Sequence, residues 1–138
     1  MKRLVVVVAA LAVAACTQEE GPLMSPGEDC LSCHSGGEAP TWSFAGTIFT
    51  SPEAAASDGR QGITVTVEDR NGKRVSVRSN EAGNFYSAEK LVPPFRAWVS
   101  LGGRISEMED TFEYGSCNAC HTWPSRPSFP DAARLTAP

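Results

Sequence analysis

The stretch over residues 63–77 most constrains the fold, because apolar and polar residues alternate strictly on both sides of a turn signal. A period of two residues is typical of a half-buried β-strand and does not give a helix one apolar face. The pair Asn71-Gly72 favours a type I′ hairpin turn, in which both central residues need a positive φ. The sequence therefore predicts a β-hairpin with one buried face. That face is formed by Ile63, Val65, Val67, Val75 and Val77.

Similar alternation recurs along the middle of the chain. Large apolar residues alternate with small ones over 42–50, an aromatic pair follows a second turn at 85–86, and alternation resumes over 95–101. No segment has the period of a long amphipathic helix. Short strands at a spacing of about ten residues predict a mainly β fold, a small antiparallel β-sandwich. We place this sandwich at residues 42–103, flanked by irregular or short helical segments at 30–41 and 104–138.

The cysteines and histidines are concentrated in two five-residue windows. Cys-Leu-Ser-Cys-His occupies 30–34 and Cys-Asn-Ala-Cys-His occupies 117–121, and together they hold four of the five cysteines and both histidines. Cys-x-x-Cys-His is the attachment motif of c-type haem, in which the two thiols bind the porphyrin and the adjacent imidazole binds the iron. Two copies predict two covalently bound haem c groups. The predicted thioether residues are Cys30, Cys33, Cys117 and Cys120, and the predicted proximal iron ligands are His34 and His121.

The sixth ligand of each iron is left open by the motif, since the chain has no third histidine. Met108 and Met24 are the candidate distal ligands, and a lysine, a terminal amine, water or a histidine from a partner are the alternatives. Each methionine can equally be hydrophobic filler. Aromatic residues near the two windows are candidates for packing against haem; ordinary sandwich core is the alternative, and it is favoured for Trp42 and Phe44 over the other four. They are Trp42, Phe44, Phe112, Tyr114, Trp123 and Phe129.

Two other interpretations use the same cysteines. Four thiolates could bind a structural zinc ion, but this leaves both histidines unexplained. Two local disulfides, or a thioredoxin-type redox site, would also use Cys-x-x-Cys, yet no βαβ pattern surrounds either window.

The first sixteen residues resemble a bacterial lipoprotein signal. A basic start at Lys2 and Arg3 precedes twelve apolar residues that end at Cys16. This run is short of the ~20 residues that a membrane-spanning helix needs. We expect cleavage after residue 15, lipidation of Cys16, and a polar tether over 16–29 that anchors the protein in the cell envelope at the outer membrane, facing the periplasm or the surface. An ordinary signal peptide is the alternative.

Charge and composition limit the classes of partner that we expect this protein to bind. Removal of the leader leaves ten basic residues against 16 acidic ones, which argues against nucleic acid and favours neutral or cationic partners. With both histidines assigned to iron, few side chains remain for acid–base catalysis. The sequence therefore predicts an electron carrier rather than an enzyme. Its partner would be a redox protein or neighbouring copies of the chain, with no small-molecule substrate.

Residues 45–101 resemble the carboxypeptidase-regulatory or transthyretin-like family of small sandwiches. The matching positions are Gly62, Val65, Val67, Asp69 and Gly72, then Gly83 and Phe85, then Pro94 and Val99. Arg96 and Trp98 depart from the aromatic pattern of that family. The resemblance implies a sandwich scaffold without enzymatic activity.

Together these features predict a membrane-anchored dihaem c-type cytochrome that transfers electrons. Three alternatives stay open. They are a haem-based sensing module with an open axial site, a structural subunit of a haem-bearing filament, and a Cys₄ zinc protein.

Overall fold

The computed structural model describes residues 21–37 and 39–138. The predicted signal peptide and the predicted lipidation site at Cys16 lie outside these residues. The fold is mainly β, as predicted, with two short 3₁₀ turns at Cys30–Ser32 and Cys117–Ala119. The strands are β1 (Phe44–Phe49), β2 (Thr64–Glu68), β3 (Arg74–Arg78), β4 (Asn84–Ser87), β5 (Arg96–Leu101), β6 (Arg104–Glu107) and β7 (Leu135–Thr136).

The strands form two sheets, one in the order β4-β1-β7 and the other in the order β3-β2-β5-β6. Neighbouring strands are antiparallel except for β1 and β7, which run parallel and pair Ile48 with Leu135 and Phe49 with Thr136. The predicted sandwich was antiparallel throughout, so this pair is a difference. It arises because the C-terminal segment returns along the otherwise open edge of β1, where it covers unpaired backbone groups.

The hydrophobic core lies between the two sheets and matches the predicted apolar faces. Ile63, which directly precedes β2, and Val65 and Val67 of β2 are buried against residues of the first sheet. Val75 and Val77 point the same way and are partly buried, which confirms the predicted inward face of β3. The first sheet and the start of β5 contribute aromatic and branched side chains. These are Phe44, Ile48, Phe85 and Phe95.

The hairpin between β2 and β3 is present, but the predicted type I′ turn is wrong. The Gly72 N–H donates to the Asp69 carbonyl at 3.0 Å, and the Asp69 N–H donates to the Lys73 carbonyl at 2.9 Å. Gly72 has a positive φ of 81°, whereas Asn71 does not. This is a three-residue loop, a type I turn closed by a left-handed glycine. The Asp69 carboxylate favours it by accepting hydrogen bonds from the N–H groups of Asn71 and Lys73 at 2.8 and 2.9 Å.

The sheets extend past residue 103, into the segment that the sequence assigned to the second haem. β5 turns into β6 through Gly102 and Gly103, both with positive φ. All four residues of β6 are exposed, so this strand carries no burial pattern for a sequence to reveal. Among the residues that the structure describes, no helix is long and apolar enough to cross a membrane.

Candidate functional site

The two Cys-x-x-Cys-His windows fold into the same local structure. In each, a 3₁₀ turn begins at the first cysteine, and the second cysteine follows in a helical conformation, with φ/ψ of −106°/−36° in the first window and −108°/−45° in the second. The histidine N–H donates to the carbonyl of the first cysteine, at 3.0 Å for His34 and 2.9 Å for His121. A repeated sequence motif therefore corresponds to a repeated backbone geometry.

The imidazoles of both windows are held in the same manner. His34 Nδ1 lies 2.8 Å from the Pro40 carbonyl oxygen, and His121 Nδ1 lies 2.9 Å from the Ala133 carbonyl oxygen. A carbonyl can only accept, so each Nδ1 carries the proton, and in a neutral ring Nε2 is then left with its lone pair. Neither Nε2 makes a hydrogen bond to any residue that the structure describes. An Nδ1–H bond to a backbone carbonyl is the arrangement that orients a histidine ligand toward a metal.

The two windows lie side by side along β1, although they are 87 residues apart in the chain. Asn118, inside the second window, is 1% exposed. Its side-chain N–H₂ group donates to the Glu28 carbonyl at 2.9 Å and to Thr47 Oγ1 at 3.0 Å, and it lies 3.8 Å from the Cys30 sulfur. Its side-chain oxygen accepts the Thr47 N–H at 3.1 Å. One buried amide thus joins both windows to the strand between them.

A polar network extends this connection to the chain that precedes the first window. The Thr47 hydroxyl donates to Asn84 Oδ1 at 2.9 Å and accepts the Gly27 N–H at 3.0 Å. Asn84 Nδ2 in turn donates to the Met24 carbonyl at 2.7 Å. Buried polar groups are stable only when they are paired, and these are. The segment around residues 24–28 is therefore held on the outer face of the first sheet.

A crevice of about 330 Å³ lies beside the second window. Residues of β5, β6 and β7 line it. This volume is within the range of roughly 300–1,000 Å³ that is usual for small-molecule sites. The lining is largely apolar and includes Val99, Met108, Phe112, Cys117, Cys120 and His121. The structure therefore brings the candidate distal ligand Met108 to the same crevice as the candidate proximal ligand His121.

The first window has a different environment, dominated by aromatic stacking. The ring of His34 stacks on Trp42, with centroids 3.4 Å apart and planes 7° apart. Trp42 stacks in turn on Tyr86 at 4.2 Å and 9°. His34 is buried by this arrangement, and its ring plane is fixed by contacts on one face as well as by its bond to Pro40.

The remaining predicted residues lie in several different environments. Met24 makes backbone hydrogen bonds on the outer face of the first sheet and does not line the crevice. Phe44 is a fully buried core residue, which confirms the alternative of ordinary sandwich packing for this residue. Phe112 lines the crevice and packs edge-on against Phe95 with centroids 5.5 Å apart. Three aromatic residues remain 44–49% exposed, namely Tyr114, Trp123 and Phe129.

The thiols of the first cysteine in each window are poor nucleophiles. Burial, with the charge of Asp29 second, raises the pKa of Cys30 to about 11. Burial, followed by the charges of Cys30 and Cys120, raises the pKa of Cys117 to about 12. Both thiols are therefore protonated at neutral pH, whereas thioredoxin-type sites depend on a thiolate of low pKa. This disfavours the redox-active dithiol interpretation.

The structure also bears on the disulfide and zinc alternatives. Cys30, Cys117 and Cys120 are free thiols, so neither window closes on itself as a local disulfide. Cys33 is disulfide-bonded, and a thioether at its sulfur requires reduction of that bond first. Within residues 21–37 and 39–138, no three or more His, Cys, Asp or Glu side chains converge as they would around one metal ion.

Two residues of this region were missed by the sequence analysis, Asn118 and Arg134. Asn118 lies between the cysteines of a motif whose middle positions are variable, and its importance comes from partners 71 and 90 residues away. Arg134 lies in the proline-rich C-terminal segment and also lines the crevice. No short-range pattern marks either of them.

Comparisons with protein-family models, with curated proteins and with solved structures find no match to this chain.

Proposed function

We propose that the protein is a dihaem c-type cytochrome that transfers electrons at the bacterial cell envelope. Cys30 and Cys33 would hold one haem and Cys117 and Cys120 the other. His34 and His121 would be the proximal ligands. Lipid on Cys16 would anchor the protein in the membrane, and the sandwich would act as a scaffold of the transthyretin-like kind without enzymatic activity. Redox proteins or neighbouring copies would exchange the electrons.

One observation carries this proposal. Two windows far apart in the chain have the same turn, and both histidines have Nδ1 bonded to a backbone carbonyl while Nε2 has no hydrogen-bond partner among the described residues. The same orientation recurs next to two cysteines in each window. An axial iron ligand needs this tautomer and a fixed ring.

The second window fits the cofactor better than the first. Its crevice is bounded by apolar residues of β5 and by Phe112, which would exclude water from one side of a porphyrin. Cys117 and Cys120 are both free thiols at its wall, together with His121. Met108 supplies a thioether at the same crevice. A bound haem supplies one-electron oxidation and reduction at its iron, and a methionine–histidine pair raises its reduction potential.

These contacts define what individual residues would do toward the haems. The Ala133 carbonyl fixes the tautomer of His121, and the Pro40 carbonyl and the Trp42 ring fix His34. Asn118 holds the two windows together. With the windows adjacent, two haems would be neighbours, so an electron could pass between them inside one protein.

Haem stoichiometry tests the proposal directly. The full chain, expressed in a host with cytochrome c maturation, should carry two haems by pyridine haemochrome assay and by intact mass. The double variants C30A/C33A and C117A/C120A should each carry one, because each removes one pair of thioether residues. Colourless wild-type protein, or a double variant that retains two haems, would overturn the proposal.

A matched control separates haem attachment from lipidation. Cys16→Ala should keep both haems and lose the lipid mass and the membrane fraction, since Cys16 belongs to neither window. Wild-type protein without lipid would refute the anchoring part alone.

A further inference from the structure

The chain that follows the predicted lipidation site is attached to the sandwich only a few residues later. Asn80 Nδ2 donates a hydrogen bond to the Pro22 carbonyl. Five residues, 17–21, separate Cys16 from Pro22, and a fully extended chain of this length spans about 20 Å. A lipid on Cys16 would therefore hold Asn80 within that distance of the membrane.

Asn80 lies at one end of the sandwich, which we call the tether end. Three loops form this end, at 58–63, 79–83 and 101–104. Thr64 lies opposite both Arg78 and Ser100 in the sheet, so the chain enters β2 and leaves β3 and β5 at the same end. These loops are the part of the sandwich that the tether would keep nearest to the lipid headgroups.

A groove of about 430 Å³ lies at the tether end, on the outer face of the second sheet. Four of its lining residues form one row across the four strands, because each is the cross-strand partner of the next. They are Arg78, Thr64, Ser100 and Ile105. No acidic residue lines the groove. Guanidinium and hydroxyl groups donate hydrogen bonds to phosphate oxygens, and Ile105, which is 65% exposed, provides an apolar contact beside them.

The arginines at the far end of the same face are paired, whereas the arginine of the groove is not. Glu68 forms ion pairs with Arg74 and Arg96. Arg78 belongs to none of the ion pairs among the residues that the structure describes. Its Nη2 atom donates to the Gly62 carbonyl at 3.0 Å, which holds the guanidinium at the wall of the groove. A guanidinium has five N–H donors, so Arg78 keeps donors for a ligand.

We propose that the tether end docks on the anionic phospholipid headgroups of the membrane that holds the anchor, with a lipid phosphate bound at Arg78. Arg104, exposed in the adjacent β5–β6 hairpin, adds a second positive charge. The inference rests on the lipid at Cys16 in the proposed function and adds an orientation to it. Four acidic residues oppose the attraction, so it depends on the arginines of this end. They are Asp58 and Glu81 in the loops and Glu19 and Glu20 in the tether.

Docking in this orientation leaves the first window accessible. Trp42, on which the His34 ring stacks, precedes β1, whereas the loop 58–63 of the tether end follows β1. Redox partners would therefore reach the first haem from the side away from the membrane.

Hydrogen exchange of the lipidated, haem-loaded protein on vesicles tests the inference. Amides of residues 101–105 should exchange several-fold more slowly on vesicles that contain phosphatidylglycerol than on vesicles of phosphatidylcholine alone, because docking covers the β5–β6 turn. Each arginine near an anionic surface raises the ratio of docked to undocked protein about fivefold. The double variant Arg78→Gln/Arg104→Gln should therefore lose the difference between the two kinds of vesicle.

The matched control is Arg74→Gln/Arg96→Gln, which removes the same charge from the far end of the same sheet and should keep the difference. Equal exchange of the wild type on both kinds of vesicle would overturn the proposal. An equal loss in both double variants would also overturn it, since net charge alone would then explain the effect. Wild-type protein without lipid on Cys16 would overturn the inference together with the anchoring, and intact mass distinguishes this outcome from a failure of docking alone.

Discussion

The buried amide of Asn118 shows how much one side chain contributes to this site. Its side-chain oxygen accepts a hydrogen bond from the Thr47 N–H, which points away from β4, the strand with which Thr47 is paired. Its N–H₂ group donates to the Glu28 carbonyl near the first window. Each of these groups would be unpaired without it. An unpaired buried group costs more free energy than the hydrogen bond itself contributes.

We therefore expect Asn118→Ala to lower the free energy of unfolding by about 2 kcal/mol, since the buried Thr47 N–H and the part-buried Glu28 carbonyl lose their partner. Urea denaturation measures this loss. Hydrogen exchange should also become faster in residues 24–34, because that segment loses one of its connections to β1. Asn71→Ala is the control, since the Asn71 side chain is exposed in a turn. Equal stability of the two variants would contradict the role of Asn118.

Met108 allows a second test at the level of single residues. It lines the crevice that contains His121, whereas Met24 does not. If Met108 is the distal ligand, Met108→Ala should lower the reduction potential of one haem, because methionine ligation raises it. Spectroelectrochemical titration measures both potentials. Met24→Ala is the matched control for this haem, and an unchanged potential in Met108→Ala would exclude Met108 as ligand.

At the scale of elements, the approach of the second window to β1 depends on Gly115. The Ala45 N–H donates to the Gly115 carbonyl at 2.9 Å, and Ala45 bridges Ser116 in parallel register. A Cβ atom on Gly115 would lie 1.9 Å from the Ser43 carbonyl oxygen. The chain can run beside β1 at this point only without a side chain.

Gly115→Ala should therefore destabilise the protein by about 2 kcal/mol or more, because the backbone must move away from β1. The neighbouring Ser116→Ala should be nearly neutral or slightly stabilising, because the Ser116 hydroxyl is buried without a hydrogen-bond partner. Urea midpoints of the two variants provide the comparison. Similar losses in both would show that the contact with Ser43 is not limiting.

The β2–β3 turn provides a pH-dependent test. Burial of the Asp69 carboxyl opposes its ionisation, but hydrogen bonds from the N–H groups of Lys73, Val92 and Asn71 outweigh this and lower its pKa from 3.8. A carboxyl with a lowered pKa in the folded state stabilises the fold above its unfolded pKa, and this contribution is lost as the pH falls. The stabilisation is therefore complete above about pH 4 and disappears below it.

Asp69→Asn should accordingly be less stable than the wild type at pH 7, and the difference should shrink as the pH is lowered below 3.8. Urea midpoints of both proteins across this range measure it, and the subtraction removes the effect of the other acids. A constant difference at all pH values would contradict the lowered pKa.

At the scale of the whole molecule, the buried core of the sandwich contains neither of the two candidate ligand histidines. The core cluster of buried residues consists of side chains from both sheets and from Phe95, with no histidine in it. We expect the haem-free chain to unfold cooperatively in urea, with coincident transitions by circular dichroism and by tryptophan fluorescence. Transitions that differ between the two probes would show that the chain does not unfold as one cooperative unit.

Local patterns were sufficient for the longer, half-buried strands. Alternation identified the buried face of β2 and β3 because burial on one face of a sheet repeats every two residues. It did not reveal β6, which is exposed throughout, or β7, which is two residues long. The turn type was wrong because the Asp69 side chain, rather than the Asn-Gly pair, determines the loop.

By itself, the sequence determined that this chain forms a β scaffold and carries two Cys-x-x-Cys-His windows, since both are properties of neighbouring residues. Only the tertiary structure decided that the windows lie side by side, that Met108 shares a crevice with His121, and that the buried amide of Asn118 joins both windows to β1. These relations join residues up to 90 positions apart. Packing of the two sheets and of the segments along β1 creates them, and no local period encodes such contacts.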